Sequence, residues 1–269
     1  MMSNQEAIFN RTERLVGHEA MQRIAASHVI IFGIGGVGSW VAESLVRSGI
    51  VNLTIVDSDR ISITNVNRQC PATTKTVGLI KVEAMKSRLL DINPKAKVEA
   101  IEGIYSAETR DSFHLEEYNY VVDAIDSLSC KADLILHATT LPSCVRFFSS
   151  MGAALKMDPT QIRVDEFWNV KGCPLARALR QRFKRMKLFP KRKFRVVYSP
   201  EVLPNLGLVV EVEEDVSQPH DWNAQKAQIN GTMAHTTAIF GFTLAGLIMQ
   251  DIIAGAAAPR GVTGGTLQG

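Results

Sequence analysis

The chain predicts an α/β fold, a doubly wound and mainly parallel sheet that antiparallel strands extend beyond residue 150. Three observations predict it. A β-rich run over 28–32 opens directly into a turn carrying Gly33, Gly35, Gly36 and Gly38, followed by a helix-forming segment. Short apolar runs then alternate with amphipathic stretches of helical period as far as residue 149, the pattern of strands joined by crossover helices. Past Met151 the strand candidates lie closer together and read as antiparallel additions to the same sheet.

Each element follows in turn. Residues 3–27 set apolar positions at helical spacing among Arg11, Glu13, Arg14, Glu19 and Arg23, which predicts one or two helices before the first strand. In the turn, Gly33 supplies the tight bend, Gly35 and Gly36 lack the Cβ that would hold phosphate oxygens away, and Gly38 lets the helix pack close to the strand. The free N–H groups and positive dipole end of that helix favour an anion by about 0.3–1 kcal/mol at an exposed site. Gly49 stops the helix, and residues 52–56 form a second strand that delivers Asp57 to the carboxyl end of the sheet, where such folds bind ligands. Residues 59–78 are polar and irregular, a length that inside a compact domain signals function. A helix over 79–90 ends at Asn93-Pro94, strands follow at 97–101 and 120–124, then a helix over 130–141 and a fifth strand over 145–149. Beyond it come an alternating segment at 161–166, a basic helix from Pro174, and strand candidates at 196–198 and 208–212. Residues 236–248 are apolar, but His235 and Asp251 bracket only fifteen positions, short of the roughly 20 a bilayer requires, so a buried helix is expected without membrane insertion. The chain thus divides into a nucleotide-binding part with amino-terminal helices, 1–150, and a part holding the sheet extension, basic segment and terminal helix, 151–269.

The 269 residues suffice for a large buried core, and a net charge of +3 is too mild for a protein that coats nucleic acid but permits one basic face. Cys70, Cys130, Cys144 and Cys173 include no C-x-x-C pair, so neither a disulfide framework nor a structural zinc site is expected. The first seventeen residues are polar, without the apolar core of a secretory signal, which predicts a cytoplasmic protein.

The chemistry gathers after the second strand. A dinucleotide enzyme needs only an acidic residue there to hold a ribose, and Asp57 satisfies that. Here Asp59, Asn65, Asn67, Arg68 and Gln69 follow, and Lys81 opens the next helix. Cations and amides from one loop suit a triphosphate, with Arg68 gripping oxygens in bidentate fashion and Lys81 acting as a point charge. The fourth strand ends in D-A-I-D, which directs Asp123 and Asp126 toward the same crevice. A hard cation such as Mg²⁺ takes one or two carboxylates plus phosphate oxygens, and Asp126 is the candidate ligand, with a helix cap as its plainer role. No Ser-His-Asp or Cys-His constellation stands out, and Cys173, in a Gly-Cys-Pro turn, reads as a buried thiol. The run over 177–195 is densely basic with Phe183, Phe189 and Phe194 interleaved, either a solvated face, a surface that holds RNA phosphates and stacks a base, or a segment against which the acidic stretch over 211–215 folds.

Taken as a set, GIGGVGS, then D-x-D with N-x-N-R-Q, then TVG-x-x-K and D-x-x-D resemble the adenylating domain of the ubiquitin-activating-enzyme superfamily. NRTERLVG, VNRQ, VGLIKVE, YVVDAIDS, DPTQIRVDEF and CPLARALRQRFK make the resemblance strongest to the tRNA threonylcarbamoyladenosine dehydratases, over nearly the whole chain. The resemblance implies ATP-dependent adenylation of the threonylcarbamoyl carboxylate on a tRNA adenosine, then ring closure with loss of water and release of AMP and pyrophosphate. It further implies that Gly36 and its neighbours line the ATP phosphates, that Asp57 holds the ribose hydroxyls, and that Asn65, Arg68 and Lys81 contact the triphosphate. Asp126 would hold Mg²⁺, and Arg14 of NRTERLVG would reach into the partner's site of a homodimer. A monovalent cation is allowed for, with no residue to identify it. The chain departs from relatives with a glycine-rich stretch after the fifth strand, having SSMGAALK there. It also lacks the cysteine that some relatives carry just before the strand at 196–199, so their sulfur-transfer partnership does not extend to it. The main alternative is an enzyme that adenylates the carboxyl terminus of a ubiquitin-like sulfur carrier, which the lack of paired C-x-x-C motifs disfavours. A third class, an NAD-binding oxidoreductase or a non-catalytic nucleotide-binding module, leaves Arg68, Lys81 and Asp126 without work.

Overall fold

A computed structural model describes residues 7–207 and 230–255. Two short helices, α1 (Asn10–Val16) and α2 (His18–Ala26), precede strand β1 (His28–Phe32). The glycine turn leads into α3 (Gly38–Arg47), β2 (Asn52–Val56), α4 (Lys81–Ile92) and β3 (Lys97–Ile101). Then come β4 (Tyr120–Asp123), α5 (Leu128–Ala138) and β5 (Arg146–Ser150), followed by β6 (Arg163–Glu166), α6 (Pro174–Met186), β7 (Arg195–Tyr198) and α7 (Ala234–Ile253). The seven strands form one sheet in the order β3-β2-β1-β4-β5-β7-β6, so the predicted doubly wound, mainly parallel α/β architecture is present.

The alternation of β1 explains the two layers. Val29 and Ile31 face a core shared with α2, α3, α4 and α7, whereas Ile30 and Phe32 face a second core built with α5 and α6. Chain order reverses between β1 and β4, and ligands of such sheets lie beyond the carboxyl ends of the strands at that point.

Two expectations need correction. The strand at 195–198 was expected to add antiparallel, but β7 runs parallel to β5, and only β6 is antiparallel, paired Arg163 with Tyr198 and Glu166 with Arg195. The thirteen-residue α6 makes this possible, because it carries the chain back across the second face as a crossover helix. The terminal helix is also longer than its bracketing residues suggested. α7 has 20 residues and a mean hydropathy of 1.5, enough by length and composition to cross a membrane, yet 61% of that span is buried within the protein. Asp251 does not end it, because the carboxylate is neutralised inside the fold by a bidentate Arg146 (3.0 and 2.7 Å) and accepts from the Tyr120 hydroxyl at 3.1 Å. The strand candidate at 208–212 and the acidic stretch over 211–215 lie outside the described residues.

Candidate nucleotide site

The site begins with steric demands of the glycine turn. Gly33 has φ +86° and a Cβ there would sit 2.7 Å from the Ala124 carbonyl oxygen; a Cβ on Gly38 would sit 1.8 Å from the Gly33 oxygen. These two glycines therefore set strand-to-helix packing and join β1 to the end of β4. Gly35 differs. A Cβ there would meet nothing nearer than Gln69 Nε2 at 3.9 Å, so its outer face is open space. Gly36 faces inward instead, where a Cβ would lie 3.1 Å from Thr237 Cγ2 on the first turn of α7.

The carboxyl end of β2 supplies a compact ionic cluster. Asp57 accepts the Ile34 amide at 2.7 Å and the Asp59 amide at 2.9 Å, pinning the glycine turn to β2. Lys81 Nζ lies 3.1 Å from Asp57 and 2.8 Å from Asp59. Lys81 is only 2% exposed. Burial works against its charge, but the two carboxylates outweigh this and hold its pKa above the ordinary lysine value. Asp57 is drawn the other way, its pKa raised by burial against the opposing pull of Lys81. Lys81 thus spends its charge on the two aspartates, while the Asp59 side chain remains 68% exposed toward the crevice mouth.

The irregular loop after β2 is more ordered than its composition suggested. Asn65 Oδ1 accepts the Ser62 amide and caps a single tight turn over Ile63–Asn65. Arg68 Nη1 donates to Thr64 O (2.8 Å) and Asn67 Oδ1 (3.0 Å), while its own carbonyl accepts from Trp40 Nε1 (3.1 Å) and the Thr237 hydroxyl (3.4 Å). Burial lowers the Arg68 pKa, and the charge of Asp126 opposes that shift. Gln69 is buried beside Gly35 with its Oε1 left without a partner, a polar atom fit for a ligand donor.

The structure separates the two aspartates of D-A-I-D. Asp126 is exposed. Asp123, expected to share the crevice, is fully buried: its carboxylate is 2.8 Å from Lys131 Nζ and accepts from Ser149 Oγ (2.7 Å) and the Ile125 amide (3.1 Å). It is a structural tie between β4, β5 and α5. Arg14 lies on α1 and is exposed. Cys173 is buried at the start of α6. Sequence reasoning missed Thr237 and Trp40, which hold the Arg68 backbone in place; no local signal marks either one.

Among the described residues no group of three or more His, Cys, Asp or Glu side chains could hold a metal by itself. A single carboxylate beside a phosphate site does suit Mg²⁺, which keeps phosphate oxygens and water as its other ligands. The arrangement as a whole can cradle a polyphosphate at Gly35, with a cation and a carboxylate at its far end.

Comparison with known proteins agrees with this geometry. The chain is 34% identical over 257 residues to the tRNA threonylcarbamoyladenosine dehydratase of Haemophilus influenzae, covering 94% of this chain and 95% of that one. To the protein of the same name from Escherichia coli it is 35% identical, covering 93% and 94%. Crystal structures of the E. coli protein superpose with TM-scores of 0.78 in complex with AMP and 0.79 in complex with ATP. They cover 96% and 97% of this chain and 98% and 100% of theirs, at 33% and 32% identity. A model of the ThiF family matches residues 9–261, nearly the whole length, and the chain belongs to that family.

Proposed function

We infer that this protein uses ATP to adenylate the carboxylate of N6-threonylcarbamoyladenosine in tRNA and then closes the ring with net loss of water. The observation that carries the reading is the open outer face of Gly35 beside the unpartnered Gln69 Oε1, in a chain whose near-full-length relatives bear that activity's name. In the first step a carboxylate oxygen bonds to the α-phosphorus of ATP and the bond to the β-phosphate breaks, so pyrophosphate leaves. In the second, a nucleophile of the threonylcarbamoyl group attacks the activated acyl carbon, AMP departs with the original carboxylate oxygen, and one proton is released. Because the nucleophile belongs to the substrate, the protein's contribution is positioning and charge stabilisation rather than covalent catalysis.

The roles follow the geometry. Gly33, Gly35, Gly36 and Gly38 shape the phosphate turn, and Asn65 and Gln69 fix and line its rim. Asp59 is placed to meet the ribose hydroxyls together with Asp57, and Lys81 holds both carboxylates in place. Arg68 grips phosphate oxygens, and Asp126 would hold Mg²⁺, which neutralises charge on the leaving pyrophosphate when bound. Arg14, exposed on α1, would complete the site of the second protomer in a homodimer. The basic segment after Pro174 would face the tRNA, in the cytoplasm. The test is incubation with threonylcarbamoylated tRNA and ATP, followed by mass analysis of the nucleosides. Loss of one water, dependent on ATP and abolished in Arg68→Ala and Asp126→Ala, is expected. Full turnover by either variant, or ATP–pyrophosphate exchange that needs a ubiquitin-like carrier and not tRNA, would overturn the assignment.

A further inference from the structure

The stretch over 167–200 holds eleven Lys and Arg and no Asp or Glu, whereas the rest of the chain has 19 basic against 27 acidic residues. One 34-residue segment therefore carries +11 in a protein of net charge +3. α6 buries Ala176, Leu179 and Phe183 and turns Arg177, Lys184 and Arg185 outward. Among the described residues, no Lys or Arg over 171–193 forms a salt bridge. Asp251 meets Arg195 at 3.9 Å and Asp133 acts on Arg182, but a positive charge this concentrated along one segment still fits a polyanion.

Two aromatic rings stand in that field. Trp168 is 38% exposed and Phe189 46% exposed, and their centroids are 6.3 Å apart at 43°. They are not ill-packed core: Trp168 rests edge-on against buried Phe167 at 5.2 Å, which is itself stacked on Phe194 at 5.1 Å. The backbone beneath is fixed as well, with the Trp168 amide donating to Glu166 and Arg180 donating to the Phe167 carbonyl. Lys187 and Lys191 flank Phe189 two residues to either side. A crevice of about 220 Å³ on the same edge of the sheet is lined by Arg146, Arg192, Lys193 and Arg195, with Glu166 the one carboxylate in its wall. This edge is the amino-terminal end of the parallel strands, since Glu166 pairs with Arg195 at the start of β7. The nucleotide site lies at the opposite end, about 17 Å away along a five-residue strand.

We propose that Trp168 and Phe189 form a stacking platform for an unpaired base of the RNA substrate, remote from the reacting nucleotide, with Lys187 and Lys191 holding the flanking phosphates. Rigid exposed aromatics among cations are how single-stranded RNA is held, because every base offers a π-face and every linkage a charge. The proposal rests on the tRNA reading above and deepens it by naming a second contact.

The test measures binding of the full chain to tRNA carrying threonylcarbamoyladenosine, by mobility shift and by tryptophan fluorescence. Trp168→Ala and Phe189→Ala are each expected to weaken binding about tenfold, Trp168→Phe to retain most of it, and all three to keep the wild-type melting temperature. In turnover the KM for tRNA should rise while the KM for ATP stays fixed. Quenching of fluorescence by RNA should be smaller in Trp168→Phe than in the parent, since both keep Trp40 and Trp222. Wild-type affinity in both alanine variants, with tRNA bound normally by the parent, refutes the platform and leaves the function standing. Failure of the parent to bind tRNA refutes the function itself.

Discussion

Replacing Gly35 by alanine should make the protein more stable and at the same time worse at binding ATP. The backbone of Gly35 is not in the left-handed region, and a Cβ there meets nothing closer than 3.9 Å. Alanine at such a position narrows the unfolded ensemble without strain and stabilises by about 0.4–1 kcal/mol. For a domain of this size that raises the melting temperature by about 1–4 °C. The same methyl fills the open face against which phosphate oxygens are to pack, and overfilling a close-packed site costs about 1–3 kcal/mol. ATP affinity should therefore fall about 5- to 150-fold. Gly36→Ala is the internal control. Its Cβ would lie 3.1 Å from Thr237 Cγ2, so it must push on the first turn of α7 and should lower the melting temperature instead. Calorimetric titration with ATP and a thermal melt on each variant decide the matter. A folded Gly35→Ala protein with unchanged ATP affinity would refute the placement of the phosphates at this turn.

Two further outcomes are expected. Lys81→Met leaves Asp57 buried without its counter-charge, which should cost about 3–5 kcal/mol at pH 8. Burial then sets the Asp57 pKa above its unfolded value, so the folded state takes up a proton first and the penalty should shrink as pH falls toward 5; urea midpoints showing the same loss at both pH values would contradict this. Arg14→Ala and Asp126→Ala proteins, each inactive alone, should regain about a quarter of wild-type turnover when mixed and allowed to exchange subunits, since half the dimers then hold one intact site. No recovery in a mixture shown to exchange would remove Arg14 from its partner's site.

What was legible in the sequence follows from the range over which each residue acts. The bounds of β2 and β3 and the place of the glycine turn are set by neighbours within a few positions, and the structure puts them where the pattern did. The two aspartates of D-A-I-D show where local pattern stops. Both belong to one four-residue motif, but Asp123, the last residue of β4, is neutralised by Lys131 from the following helix and accepts from Ser149 of the next strand, so burial rather than the crevice claims it. Phe183 and Phe194, grouped in the sequence with Phe189 as rings of a base-stacking surface, are buried instead; Phe183 repeats the spacing of Ala176 and Leu179 on the core face of α6, and Phe189 alone of the three is exposed. Its neighbour Trp168 is separated from it by the whole of α6 and carries no signal in its own segment. The same holds most strongly for Thr237. It touches Gly36 and the Arg68 carbonyl from more than 160 residues away, and only the packing of α7 across α3 brings it there. That crossing is tight: a Cβ on Gly241 would sit 2.7 Å from Trp40 Cβ, and Trp40 in turn donates to the Arg68 carbonyl. The terminal helix, which local hydropathy marks only as buried, is therefore the element that fixes where the Arg68 backbone stands beside the glycine turn.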